Sequence, residues 1–223
     1  MKLLALETST DACSVALVWE DQVIERFLVL PQGHTQTLLP MCESVLQQAG
    51  VRLTQLDGIA FSRGPGAFTG VRIAVAAAQG LALGAGIPVF PVSSLAAVAL
   101  GVGQRTECTR VAVALDARMR EVYWGCYQVD VKLRQVSLLV PECVCPAIDV
   151  PLPLGVSQWV GAGPGWAVYT SALSDRLGAR VAHIEMEAGP HARDIAHLAH
   201  WETPVDPILA QPVYLRDRVV QGG

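Results

Sequence analysis

The stretch Gly64-Pro65-Gly66-Ala67-Phe68-Thr69-Gly70-Val71-Arg72 stands between a strand-like apolar run, Leu56 to Ser62, and a long alanine-rich run that reads as a helix. That context predicts a tight strand-to-helix turn. Its glycines permit positive φ and close backbone approach, Pro65 stiffens it, and Thr69 or Gly70 is placed to cap the following helix. Such a turn aims free N–H groups either at an anion or at another protein surface. It is not a Walker-type phosphate loop, because Val71 follows the last glycine where a Lys-Ser/Thr pair would be required. The glycine spacing, and the lack of an acidic residue about twenty positions on, also exclude a dinucleotide fingerprint.

Upstream of the turn, Leu3 to Leu6 reads as a buried strand ending in the polar turn Glu7-Thr8-Ser9-Thr10-Asp11. Cys13 to Trp19 and Val23 to Leu30 follow as a hairpin, and His34 to Gln48 reads as a helix with Leu38, Met41, Val45 and Leu46 on its apolar stripe. Downstream, Val89 to Val92 is a further strand, with Ser93 or Ser94 capping a helix through Leu100. Hairpins followed by β-α-β crossovers imply a mixed sheet flanked by helices, an α/β fold.

The second half repeats this beginning. A shift of about 109 residues, judged by matching buried-strand patterns, lays Leu6-Glu7 onto Leu115-Asp116, Asp21 onto Asp130 and Ile24 onto Leu133. A duplicated unit follows: an N-terminal β-β-β-α-β-α lobe over residues 1–103 and a smaller C-terminal lobe over 104–223, its final segment packing back on the first lobe. The interruption at Val102 to Thr109 marks the boundary. Pro- and Gly-rich sequence from Pro146 to Gly155 leaves little room for a helix, so the second lobe is reduced. It resumes with a strand running into a turn at Trp159-Val160-Gly161-Ala162-Gly163-Pro164, a helix from Trp166 to Leu177, and a last helix from Ala192 to Trp201.

With 223 residues, 52% hydrophobic and 16% charged, the chain has ample material for a core, which excludes disorder. The formal charge is −4, and the basic residues are arginines apart from Lys2 and Lys132. No basic tail or lysine stripe marks autonomous nucleic-acid binding, so a partner would supply much of any RNA-binding surface. The six cysteines are scattered without a Cys-x-x-Cys pair and read as reduced, mostly buried thiols. Glu7 ends the first apolar run well short of a secretory leader, and the apolar segment Ile73 to Gly103 is divided by Pro88 and Pro91 into pieces too short to span a bilayer. A cytoplasmic chain without a membrane segment is the expectation.

The helix after the turn carries a small-residue face, Gly70, Ala74, Ala77, Ala78, Gly84 and Ala85, which suits either core packing or an intermolecular helix seam. Glu7 and Asp116 stand where a two-lobed nucleotide-binding fold places phosphate and metal contacts, at strand ends facing a cleft. With Thr8, Ser9, Gly161 and Gly163 they would form a degenerate cleft, because Thr8-Ser9-Thr10 lacks glycine and Ala117-Arg118-Met119-Arg120 is bulky where a backbone must approach phosphate. Arg118 and Arg120 would grip an anion or RNA phosphate, or stand as solvated surface charges. Histidines offer no metal pair: His34 has Leu38 at i+4, and His197 and His200 lack a recognised third ligand. No Gly-x-Ser-x-Gly elbow occurs.

The chain resembles the bacterial TsaB (YeaZ-like) family of the tRNA threonylcarbamoyladenosine pathway. The resemblance runs through Leu4-Ala-Leu-Glu-Thr-Ser-Thr10 with Ala12-Cys-Ser-Val-Ala16, His34 to Pro40, Gly64 to Arg72, Asp116-Ala-Arg-Met-Arg-Glu-Val-Tyr123 and Tyr214-Leu-Arg216. It implies an actin/sugar-kinase-like, ribonuclease H-like two-lobed fold with a shortened second lobe, and a non-catalytic role with no catalytic residues and no resident cofactor or metal. The expected partner is TsaD, which binds a metal through paired histidines and transfers threonylcarbamoyl from threonylcarbamoyl-adenylate to N6 of the adenosine 3′ of the anticodon. TsaE, an ATPase, joins them, tRNA is met through the complex, and the free chain is either a monomer or a homodimer through the same face. On this resemblance Leu38, Met41, Val45, Gly70, Ala74, Ala77, Ala78 and Leu81 would form the partner or dimer seam. Glu7 departs from the Asp commoner in such folds, which weakens any expectation of metal-nucleotide binding. A stand-alone ATP-dependent kinase or hydrolase using Glu7 and Asp116 is the alternative.

Overall fold

The computed structural model describes residues 1–155 and 158–216. The first half forms β1 (Leu3–Glu7), β2 (Ala12–Trp19), β3 (Gln22–Val29), α1 (His34–Ala49), β4 (Gly58–Gly64), α2 (Phe68–Ala85), β5 (Val89–Ser93) and α3 (Ser94–Thr106). The second forms β6 (Arg110–Asp116), β7 (Glu121–Asp130), β8 (Gln135–Pro146), β9 (Trp159–Ala162), α4 (Pro164–Val168), α5 (Thr170–Leu177), β10 (Val181–Glu185) and α6 (Ala192–Leu198).

Two five-stranded sheets result, ordered β3-β2-β1-β4-β5 and β8-β7-β6-β9-β10. The orders are the same when each strand is matched with its counterpart, and so are the directions. β1–β2 and β6–β7 pair antiparallel, while β1–β4 and β6–β9 pair parallel. The duplication read from the 109-residue shift is therefore a duplication of topology. The reduction of the second lobe lies where β8 ends. A three-residue 3-10 turn, Ala147–Asp149, stands where the first lobe has the sixteen-residue α1.

Alternation along the strands assigns each face. Leu4 and Leu6 of β1 join α1 and α2 in one apolar cluster, while Leu3 and Ala5 point the other way into a second. That second cluster lies between the sheets and is filled by α3 and α6, with Val111, Val113 and Leu115 of β6 on its far side. A third cluster packs α4 and α5 on the outer face of the second sheet, around Trp124, Trp159 and Trp166. The layers thus run α1/α2, sheet, α3/α6, sheet, α4/α5. α6, from the C-terminal half, packs on β1 and β2.

Several local readings are corrected. α2 starts at Phe68 after an Ala67 N-cap, with no side-chain cap from Thr69 or Gly70, because the turn bonds outward through Ala67 N–H to the Ser9 carbonyl at 2.7 Å. The helix expected from Trp166 to Leu177 is two helices broken at Tyr169, whose φ of −121° is not helical. α3 continues past Leu100 to Thr106, with Ser93 Oγ accepting from Ala96 N–H at 3.3 Å as its cap. β10 is absent from the sequence reading, since its half-exposed, His- and Glu-containing edge carries no strand alternation. By length and composition α2 could cross a membrane; its Val71, Ala74, Val75, Ala78 and Ala82 are buried against the first sheet.

Candidate functional site

β1 and β4 run parallel and end side by side, which brings the polar turn after β1 under the glycine turn after β4. The two turns are in contact. Thr8 Oγ1 donates to the Gly70 carbonyl at 2.7 Å, and Ala67 N–H donates to the Ser9 carbonyl. A Cβ added at Gly66 would lie 2.3 Å from the Ser9 carbonyl oxygen, and one at Gly70 would lie 1.9 Å from that of Thr8. Only glycine allows this approach. The glycines are spent on closing one turn over another, and the space for a phosphate above Thr8 and Ser9 is filled by protein.

Glu7 lies beneath that closure. It is buried together with Thr8 and Ser9. Ser9 N–H donates to its Oε1, while Oε2 has no partner among the described residues. Burial pushes the carboxyl up to about 7, moderated by the Ser9 hydroxyl and backbone N–H and by the Ser62 hydroxyl. Burial therefore favours the protonated form of this carboxyl. The counterpart in the second lobe, Asp116, is partly open but occupied: it accepts from Arg118 N–H at 2.9 Å and pairs with the Arg118 guanidinium at 3.1 Å. Gly163 repeats the close approach, since a Cβ there would meet the Ala114 carbonyl oxygen at 2.4 Å, and Gly161 lies against the Trp166 ring. The expected degenerate cleft residues are thus distributed over two packed turns.

The motif segments converge around this place. His34 Nε2 bridges the Thr10 and Ala12 carbonyls at 3.0 and 3.2 Å, tying α1 to the turn after β1 and fixing the imidazole as a structural donor. Val213 N–H donates to the Arg63 carbonyl at 2.8 Å, and Gln79 Nε2 donates to the Ala210 carbonyl at 3.1 Å, so the C-terminal segment runs beside β4 and α2. Arg216 then reaches the loop between β6 and β7, donating to the Ala117 carbonyl at 3.1 Å and pairing with Glu121. Sequence alone cannot bring residue 216 to residue 117.

The expected seam needs correction. Leu38, Met41, Val45, Gly70, Ala74 and Ala78 are buried in the chain's own core, where α1 and α2 pack on the first sheet. They cannot meet a partner while the lobe is folded. Ala77 is half-buried, and Leu81 lines a groove of about 560 Å³ with Leu39, Cys42, Glu43, Leu46 and Leu53. The helices turn a different face outward. Arg72, Ala76, Gly80, Leu83 and Gly84 form an exposed stripe on α2, with Leu83 53% exposed, and Leu39 on α1 is 51% exposed. The missed signal was periodicity: these positions recur at i, i+4, i+8, but in an alanine-rich helix both faces look alike.

Elsewhere, His197 is held down to about 4 by burial and by Arg134, and His200 bonds to the Ala196 carbonyl. No group of three His, Cys, Asp or Glu among the described residues could hold a metal.

Residues 29–193 match the family model for TsaD, tRNA N6-adenosine threonylcarbamoyltransferase. The chain is 38% identical to the tRNA threonylcarbamoyladenosine biosynthesis protein TsaB of Escherichia coli, over 98% of this chain and 96% of that one. It is 34% identical to TsaB of Haemophilus influenzae, over 98% and 95%. Among solved structures, YeaZ from Pseudomonas aeruginosa superposes with a TM-score of 0.88 at 44% identity, covering 96% of this chain and 99% of that one.

Proposed function

The chain belongs to the TsaB family of tRNA threonylcarbamoyladenosine biosynthesis proteins, and from that premise we propose that it is a non-catalytic partner subunit that docks TsaD through the outer face of α1 and α2. The observation that carries this reading is the outward stripe of α2 beside the apolar groove at Leu39, Leu46 and Leu81. Ala76, Gly80 and Gly84 let a second helix approach closely, and Leu39 and Leu83 supply apolar area around them. The sealed Glu7 and the occupied Asp116 support a subunit without turnover of its own, with ATP and metal chemistry left to TsaD and TsaE. A cytoplasmic setting, with tRNA reached in the assembled complex, follows from the same reading, as does pairing of two copies through this face when the partner is absent.

Ala76→Arg tests it. The new side chain points outward from α2, so the lobe stays folded, and co-purification with TsaD is expected to be lost. Retention of the complex by this variant, seen in size-exclusion chromatography, would remove α2 from the interface. Ala78→Arg is no test of docking, because it forces a cation into the core.

A further inference from the structure

At the rim of the converging turns, aromatic rings and guanidinium groups share one exposed surface. The Arg72 guanidinium carbon lies 3.4 Å from the centroid of Phe68 and 5.5 Å from that of Tyr214. The two rings are 5.6 Å apart and tilted by 30°, and each keeps about half its surface open, 53% for Phe68 and 46% for Tyr214. A guanidinium stacked in this way is already ordered and still presents N–H donors at its edge.

Two residues beyond Tyr214, Arg216 anchors the chain to the second lobe. Besides the Ala117 carbonyl and Glu121, it contacts Met119 Sδ at 3.4 Å. This joins the aromatic pair to the tip Arg118-Met119-Arg120, where three successive residues hold φ of 62°, 55° and 66°. Glycine or asparagine would adopt that conformation at lower cost, so the tip keeps two long cations in a backbone that disfavours them. Both arginines of the tip are exposed. Arg118 and Arg216 are paired with Asp116 and Glu121, whereas Arg72 and Arg120 have no carboxylate within ion-pair distance among the described residues, on a chain whose formal charge is −4.

We propose that this surface binds unpaired RNA nucleotides directly, with bases stacked on Phe68 and Tyr214 and phosphates held by Arg72 and Arg120. The proposal rests on the chain's place in tRNA modification and assigns part of the RNA contact to this subunit. An acidic protein would satisfy the arginines but leaves the half-exposed aromatic pair unexplained. Single-stranded RNA offers both phosphates and π faces.

The test is fluorescence anisotropy of the full chain with a labelled, unmodified tRNA transcript across a salt series. Tyr214→Ala and Phe68→Ala are expected to weaken binding about ten-fold, and Tyr214→Trp to retain it. Arg72→Ala and Arg120→Ala are expected to weaken binding and to flatten the slope of log affinity against log salt by roughly 0.7 each. The substitution at Arg120 lies on an exposed tip, so it stays informative even if a change at Tyr214 loosens the C-terminal segment. No binding by the wild-type chain at low salt, or wild-type affinity and slope in the arginine variants, would overturn the proposal. Loss of TsaD co-purification with RNA binding intact would overturn it too, making the patch a protein interface. Leu39→Arg, on α1 and away from the stacked arginine, reports on the partner-subunit reading separately.

Discussion

Glu7 shows how one residue sets a property of the whole. Its carboxyl is raised from 4.5 to about 7 by burial, which corresponds to roughly 3 kcal/mol against the charged form. Between those pH values the folded chain holds a proton that the unfolded chain has released. This contribution is therefore complete below about 4.5, falls as pH rises, and is gone above about 7. Asp194, buried with both oxygens unpartnered among the described residues and raised from 3.8 to about 6, acts with the same sign over a lower window. In Glu7→Gln the amide oxygen can still accept from Ser9 N–H. The variant is expected to match wild type near pH 5 and to exceed it near pH 8 by up to about 3 kcal/mol, read from urea unfolding at the two pH values. Equal pH slopes in the two proteins would show that Glu7 is not the sealed acid described. The sequence marks Glu7 as a strand-end carboxylate; what seals it is a turn sixty residues away, which no local pattern reports.

At the scale of elements, the glycine turn and α2 are one device with two kinds of glycine. Gly66 and Gly70 lie against the backbone of Thr8 and Ser9, whereas among the described residues nothing lies within 4 Å of a Cβ placed at Gly84. Gly70→Ala is expected to cost roughly 2 kcal/mol or more in stability, and Gly84→Ala to gain roughly 0.5–1 kcal/mol in the free chain, both measurable by chemical denaturation. The same Gly84→Ala change is expected to weaken the TsaD complex if α2 packs closely there. Stabilisation by Gly70→Ala would contradict the closed turn. The turn and its helix were legible because glycine, proline and an alanine run punctuate the sequence. Which side of α2 faces outward was not: the apolar stripe of α1, Leu38, Met41 and Val45, marks the core face, and α2 offers little polar contrast.

For the molecule as a whole, the identical strand orders of the two sheets were foreshadowed by Glu7 and Asp116 standing 109 residues apart, each closing the central strand of its sheet. The place of α6 was less legible, because a short helix of Ala192, Ile195 and Ala196 fits any apolar surface. In the structure it fills the layer between the sheets beside α3, so opening the lobes in the manner of a nucleotide clamp would expose that shared core. Sealed turns, an outward helix pair and an arginine-rich rim are the features on which the proposed partner-subunit reading rests. The most direct test is reconstitution of threonylcarbamoyladenosine on a tRNA transcript from purified TsaD, TsaE and threonylcarbamoyl-adenylate. Product is predicted only when this chain is added, with the Ala76→Arg variant failing to substitute for it; full product formation without the chain would contradict the account.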